Sequence, residues 1–301
     1  MSKTTPYLLG IITTIVIGCF LYHHFCCKKC NNPPQTKNKI VSTKSEEITN
    51  NKFQFSDENI NHSCEKNFNF NESEFNYITP ADDCLNIGIE KLKNYFTNNK
   101  EARLIITGYA STSEKNTSAF PNLGFARAND IKNYFVSKGI PSNRFEINGE
   151  IKEGLQMVEN KVLGPINFVI NKTQALTKAE NWNGIKEKYT ETPLILFFDS
   201  NQTEISLTDA ERESIAEIAK YIDNVPNSKI SCVGHTDNSG NRLVNINLGL
   251  ERANFVKNYL IKNGMLESKI ETSSKGPDEP IADNLTPEGK GKNRRTVITL
   301  K

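Results

Sequence analysis

The sequence predicts an α/β protein of the α+β sandwich type, with two βαβαβ-type units that each lay one layer of helices on a mixed sheet. One observation is a long gapless internal repeat, in which Asn122–Glu146 aligns on Asn247–Glu271 at an offset of 125 residues with eleven of 25 positions identical. The identities include Gly124/Gly249, Arg127/Arg252, Tyr134/Tyr259 and Gly139/Gly264. Upstream of the repeat, Arg103–Thr112 resembles Lys229–Asn238. A period this long is not that of a solenoid and signals a duplicated globular domain. Another observation is the alternation of short apolar strands with amphipathic helical stretches, the pattern of helices layered on a sheet.

Composition bounds the rest. The chain has 301 residues, 37% hydrophobic and 24% charged, with a formal net charge of +2. That length suits two domains. There is no basic stripe and no aromatic platform between basic residues, so nucleic acid is not expected as a partner. The expected division is 1–30 as membrane anchor and juxtamembrane cysteine segment, 31–75 as an Asn/Lys-rich linker, and 76–172 as a degenerate first copy. A linker at 173–189 and a second copy at 190–301 complete it.

Tyr7–Tyr22 carries no charge. As a helix it spans about 24 Å, short of a bilayer core of about 30 Å. An uncleaved anchor is the preferred reading, with residues 7–27 in contact with the membrane. A lipoprotein signal ending at Cys19, after Val16-Ile17-Gly18, is the rival. Apolar residues continue past Cys19, where a mature lipoprotein turns polar. Lys28, Lys29, Lys37 and Lys39 come after the segment, which by the positive-inside rule argues against an external location for the C-terminal part of the chain. Cys27 and Cys30 have C-x-x-C spacing but no second ligand pair nearby, so no metal is expected. Cys64 and Cys84 could pair in an oxidising compartment, and spacing alone does not decide it. Phe53, Phe55, Phe68 and Phe70 alternate in short bursts within an otherwise extended tether, so a strand or two could dock there.

In the second copy Pro193–Asn201 reads as a strand. Thr208 to Glu211 is a capping box, in which each side chain satisfies the other's backbone N–H. It opens a helix whose Ile215, Ile218, Ala219 and Ile222 share one face. Ile230–Val233 is a second strand. Leu248–Asn263 is a second helix, buried through Leu248, Val256, Tyr259 and Leu260 and stopped by Gly264. Lys269–Ser273 is a third strand, Thr286-Pro287 caps a short helix, and Arg295–Leu300 closes the unit.

Gly234-His-Thr-Asp237, Gly240, Asn245, Leu248 and Arg252-Ala253 resemble the signature of the OmpA-like C-terminal domain family. The likeness continues in Pro280-Ile-Ala-Asp283, Thr286-Pro-Glu-Gly289 and Asn293-Arg-Arg295, and Phe197–Ser206 resembles the family's opening strand and loop. It is strong over 190–301 and weak over 76–172. Gly249 departs from the family's usual Ser, and a small loss of local hydrogen bonding is expected there.

The resemblance implies non-covalent binding of peptidoglycan through the diaminopimelate of its stem peptide, in the periplasm, with no catalysis and no cofactor. Diaminopimelate presents an ammonium and a carboxylate on one carbon. Asp237 would hold the ammonium, and Arg252 would grip the carboxylate with a planar fork that Lys lacks. Asn245 is either a helix cap or a pocket wall, and Thr236 offers a backbone or hydroxyl contact. Arg294 and Arg295 are lesser candidates that also suit structural ion pairs. His235 reads as a core or turn histidine. The first copy keeps Arg127, places Ser111 where the acid belongs and Phe120 where Asn245 stands, and has too few residues between Gly149 and Asn160 for the third helix. It is expected to have lost the ligand and to act as a spacer or as a docking surface for an envelope protein.

Other classes fit less well. A motor stator needs a carboxylate within its membrane helix, and Tyr7–Tyr22 has none. No nucleophile elbow or H-E-x-x-H set marks an enzyme. An outer-membrane barrel needs many strands of about ten residues, for which only residues 40–80 remain. A structural subunit of an envelope complex, using the domain for docking, is the alternative to a wall tether.

Overall fold

The computed structural model describes Leu21 and residues 52–172, 181–200 and 206–301. The Tyr7–Tyr22 segment apart from Leu21, Cys19, and the Cys27 and Cys30 pair lie outside the described residues. Among the described residues no helix is long and apolar enough to cross a membrane. The described residues from 52 to 301 belong to one compact unit.

The second copy follows the predicted order. Strand β9 (Leu194–Phe197) leads to α4 (Asp209–Asn224), β10 (Ile230–His235), α5 (Arg242–Lys262), β11 (Ile270–Gly276), α6 (Pro287–Asn293) and β12 (Arg295–Leu300). The sheet runs β11-β10-β12-β9. β10 and β11 are parallel, while β12 is antiparallel to both β10 and β9. Two-residue alternation puts Ile230 and Cys232, Ile298 and Leu300, and Leu194 and Leu196 in the core beneath the helices. The capping box at α4 is formed: Glu211 N–H donates to Thr208 Oγ1 at 3.3 Å, and Thr208 N–H donates to Glu211 Oε2 at 2.7 Å.

Helix α5 begins six residues before Leu248. Asn241 caps it, its side chain accepting from the N–H groups of Leu243 and Val244. Its first turn displays exposed Leu243 and Val244, so no buried stripe marks the start. Leu248 and Tyr259 are only partly buried, and the inward face is Asn245, Gly249, Arg252, Ala253, Val256 and Leu260. The backbone of α5 comes so close to β10 that a Cβ on Gly234 would lie 1.7 Å from the Gly249 carbonyl oxygen. A Cβ on Gly249 would meet Ser274 Oγ at 2.3 Å. That hydroxyl already donates to Gly234 O at 3.3 Å and accepts from Gly276 N–H. Ser274 therefore supplies locally the hydroxyl expected to be lost at position 249.

The first copy repeats the arrangement. Helix α1 (Asp83–Asn98), capped by Asp82, precedes β4 (Arg103–Ala110), α2 (Leu123–Ser137), β5 (Phe145–Ile151) and β8 (Ile166–Asn171). The sheet is β5-β4-β8, parallel then antiparallel. Between β5 and β8, a small hairpin of β6 (Met157–Val158) and β7 (Lys161–Val162) stands where the second copy has α6.

Two linker boundaries are corrected. From Phe53 on, the 31–75 stretch is folded: β1 (Phe53–Asp57) and β2 (Ile60–Cys64) form a hairpin, and β3 (Phe70–Asn71) pairs with β7. Phe53, Phe55, Phe68 and Phe70 are buried with Leu85, Ile89, Phe135 and Phe168, and a disulfide joins Cys64 to Cys84. Aromatic bulk, with four rings in two short bursts, outweighs the polar residues between them. Within 173–189, the helix α3 (Trp182–Glu191) places Tyr189 in the core of the second copy.

The spacer expectation is also corrected, because one edge of the first copy packs into the core of the second, while the rest of the first copy keeps a core of its own. Phe75, Ala119, Phe120, Leu123 and Ala126 pack in the same cluster as Ile215, Ile218, Val256 and Leu260. Ala119 N–H donates to Asn263 Oδ1 at 2.7 Å. The side-chain amides of Asn129 and Asn133 donate to the carbonyls of Asn263 and Gly264 at 3.1 and 3.0 Å. Lys132 pairs with Asp223, and Arg212 donates to the Ser118 carbonyl.

Candidate functional site

The carboxyl end of β10 and the facing turn of α5 bring most of the predicted residues together. Arg252 is fully buried. Its Nη1 donates to the His235 carbonyl at 3.2 Å and its Nη2 to the Asp199 carbonyl at 3.4 Å, and the guanidinium lies 5.4 Å from the centre of the Phe198 ring. Burial lowers its pKa, and nearby Arg294 lowers it further, while Asp237 opposes both. The three charges thus sit within mutual electrostatic reach.

Asp237 begins the loop after β10. Its Oδ1 accepts from Ser239 N–H at 2.9 Å and its Oδ2 accepts from Arg294 Nη1 at 3.1 Å. Burial pulls its pKa upward, but the Ser239 and Arg294 contacts outweigh burial and hold the carboxyl below its usual range. The expected face-to-face acid and base is therefore a triad, in which Arg294 ties Asp237 while Arg252 stands alongside. Arg294 ends α6 and also donates to the Phe198 carbonyl at 3.2 Å, so the loop after β9, the loop after β10 and the α6–β12 junction converge on it.

The remaining candidates separate. Asn245 is not a cap, since Asn241 fills that role. Its amide donates to the carbonyls of Ser239 at 2.9 Å and Asp237 at 3.3 Å, bracing the loop that carries the acid. Thr236 is buried, its N–H donating to the Gly276 carbonyl at 2.9 Å, and its hydroxyl has no partner among the described residues. Arg295 points elsewhere: its Nη2 donates to the Glu279 carbonyl at 3.0 Å and its Nη1 to the Asn293 carbonyl. It lies one residue past Arg294 on a strand, so its side chain leaves by the opposite face. His235 is buried, with Nδ1 unpartnered among the described residues, and burial followed by the charge of Arg295 pushes its pKa down to about 4.

The first copy reproduces the cradle of the arginine. Arg127 Nη1 donates to the Tyr109 carbonyl at 3.0 Å, Nη2 to the Asn71 carbonyl at 3.4 Å, and the guanidinium lies 5.2 Å from the centre of the Phe70 ring. Although Ser111 stands where the acid belongs, Arg127 is not left without an acid. Glu114 forms a two-pronged ion pair with it, and both side chains are almost wholly buried. Sequence reasoning stopped at Ser111, the position aligned with Asp237. The missed acid stands three residues on, in the loop that is one residue longer, and only that extra length signalled it.

The family model for the OmpA family matches residues 67–159 and 197–294, well over half of the chain. Outer membrane protein Omp38 of Acinetobacter baumannii is 40% identical over 108 residues, 36% of this chain and 30% of that protein. The peptidoglycan-binding protein ArfA of Mycobacterium tuberculosis is 38% identical over 95 residues, 32% of this chain and 29% of that protein. The chain thus spans about 30% of the length of these relatives. Among solved structures, the peptidoglycan-associated lipoprotein from Burkholderia pseudomallei shows 25% identity and a TM-score of 0.33, covering 36% of this chain and 89% of that one. With a family model on each half of an internal repeat, the chain belongs to the OmpA family and carries the family's domain twice.

Proposed function

We propose that the chain ties a membrane to the cell wall, binding peptidoglycan non-catalytically through the diaminopimelate of the stem peptide, at the second copy. The observation that carries this reading is the cluster of Asp237, Arg252 and Arg294 at the carboxyl end of β10. A carboxylate has about four acceptor positions, and Ser239 and Arg294 engage two of those on Asp237. The others suit an ammonium. Two guanidinium groups beside it repel each other and favour a carboxylate between them. Asn245 positions the acid, Thr236 brings a hydroxyl, and Arg295 serves the fold. The relatives described as peptidoglycan-binding and peptidoglycan-associated support the ligand class.

Charge-assisted hydrogen bonds contribute about 1.5–3 kcal/mol each, so two give roughly millimolar to micromolar affinity. Tethering to a polymer raises the effective concentration. The disulfide between Cys64 and Cys84 suits an oxidising compartment, and so favours a location outside the cytoplasm over what the lysines after residue 27 suggest. The anchor is the apolar segment Tyr7–Tyr22, either uncleaved or replaced by a lipid on Cys19. Mass analysis of the mature N-terminus separates these two.

The test is co-sedimentation of the full chain with purified sacculi, because a half-chain would expose the second-copy core that the first copy covers. Wild type should pellet, and Asp237→Ala and Arg252→Ala should remain in the supernatant with their circular dichroism unchanged. Equal pelleting of all three ends the reading.

A further inference from the structure

The first copy contains a finished carboxylate receptor, and the chain fills it itself. Glu114 Oε1 accepts from Ser73 N–H at 3.1 Å and from Arg127 Nη2, and Oε2 accepts from Ser111 N–H at 3.1 Å and from Arg127 Nη1 at 3.0 Å. Two backbone amides and both prongs of a guanidinium thus meet one carboxylate. The guanidinium is fixed from behind by the carbonyls of Glu74 and Tyr109, each at 3.0 Å. Burial pushes the Glu114 pKa up, but Arg127 and the two amides outweigh burial and hold the carboxyl below its usual range.

The geometry points to Glu114 acting as an in-chain ligand, so that the first copy is a self-occupied site for a small monocarboxylate. Charge and shape define the class. A neutral guest leaves Arg127 buried and uncompensated, and a dianion brings one charge too many. Planarity follows from the fork, which meets two oxygens in one plane. The receptor stands on first-copy residues alone, and does not depend on whether the second copy binds peptidoglycan.

Self-occupancy also explains what the first copy does with the site. Glu114 belongs to the loop of residues 111–122 after β4, which further along carries Ser118 and Ala119, the residues that meet Arg212 and Asn263 of the second copy. The carboxylate anchors the first part of that loop, and the second copy holds a point four to five residues on. A site of this kind, closed by its own loop, joins the copies instead of recruiting a ligand.

Glu114→Ala removes one methylene and the carboxyl, a body the size of acetate, so the vacancy can be refilled. The full chain is melted in sodium acetate, sodium formate or sodium chloride at equal ionic strength and pH 7. Wild type should melt alike in all three. Glu114→Ala should melt lower in chloride and recover in acetate or formate with a saturable rise, about 3–6 °C at a tenfold excess over the dissociation constant. Glu114→Ala/Arg127→Leu should lose that dependence, and Glu114→Gln, which keeps the space filled, should show none. If Glu114→Ala is unfolded in chloride, recovery of its circular dichroism in acetate is the same readout. The inference is overturned by a Glu114→Ala protein that acetate does not rescue, folded or not, or by a rescue that persists without Arg127. Neither result touches the sacculus experiment, whose variants lie in the second copy.

Discussion

Arg127 and Arg252 stand in the same cradle: each donates to the carbonyl near the end of a central strand, to a second carbonyl upstream, and lies against a phenylalanine ring. The difference is what the loop after the strand delivers. In the first copy it delivers Glu114 directly onto the guanidinium. In the second it delivers Asp237, which turns to Arg294 just before the last strand. The first copy has no counterpart of α6, and hence none of the arginine that ends it. The same arginine is therefore locked to an in-chain acid in one copy and left beside the Asp237–Arg294 pair in the other, where the proposed function places recognition.

The comparison breaks most visibly when each arginine is removed. Arg127→Ala strands the Glu114 carboxylate in a buried site, and losing one partner of a buried pair costs about 3–5 kcal/mol. Arg252→Ala removes hydrogen bonds to carbonyls and ring packing, while Asp237 keeps Arg294. A loss of roughly 1–3 kcal/mol is expected there, together with the loss of sacculus binding. Urea unfolding of the two variants checks the order. A smaller penalty at Arg127 than at Arg252 contradicts the roles assigned to the two arginines.

Acid separates the copies a second way, with an effect on the order of 2–3 kcal/mol. His235, in the second copy, has its pKa depressed from 6.5 to about 4 by burial and by Arg295. A buried neutral histidine binds its proton more readily when unfolded, so stability is lost as pH falls from about 6.5 towards 4. The corresponding position in the first copy is Tyr109, which takes up no proton in that range, although buried His62 on β2 also has its pKa lowered by burial and adds a loss of the same sign. Glu114 has a depressed pKa, so its contribution is complete above its unfolded value of 4.5 and fades as pH falls through the lower folded value. Denaturation at pH 7.5, 5.5 and 4.5 should show a decline that His235→Gln reduces, that His62→Gln reduces further, and that Glu114→Gln leaves in place.

The repeat, the strand and helix order of the second copy, and the convergence of Asp237 with Arg252 were legible in the sequence, because each rests on local pattern or short spacing. Three features were not. The start of α5 was hidden because its first turn is exposed and capped by Asn241. The tether was misjudged because Phe53 and Phe70 meet their partners Phe168 and Val162 from far along the chain. Arg294 could be named but not given its partner, since 57 residues separate it from Asp237. Register between distant segments decides such contacts, and local periodicity does not carry it.

The junction between the copies supplies the next test. Asn263 Oδ1 accepts the buried Ala119 N–H, so Asn263→Ala leaves a donor without a partner at a cost of about 1–3 kcal/mol. Because first-copy side chains are packed into the core of the second copy, the variant should still unfold in a single step, with fluorescence and circular dichroism coincident. Two separated transitions would show that the copies are independent and that the packing between them adds little.

The smallest effect concerns the two helix glycines. At Gly249 a new Cβ would press on Ser274 Oγ at 2.3 Å, but it would stand 3.0 Å from the Gly234 carbonyl oxygen. A hydroxyl can rotate away, and replacing glycine within a helix itself gains several tenths of a kcal/mol. Gly249→Ser should therefore change stability by less than about 1 kcal/mol. At Gly124 the same Cβ would lie 2.4 Å from the Gly108 carbonyl oxygen, and backbone cannot step aside so readily. Gly124→Ser should lose roughly 1–3 kcal/mol, as overpacking does. Thermal melts of the two variants, and of Gly249→Ser with Ser274→Ala, check the argument. If the Ser274 hydroxyl is what yields, its removal should make the serine at 249 no worse than the glycine it replaces. A Gly249→Ser penalty equal to that at Gly124 would mean that the Gly234 carbonyl, 3.0 Å from the new Cβ, blocks it as firmly as the Gly108 carbonyl does at 2.4 Å.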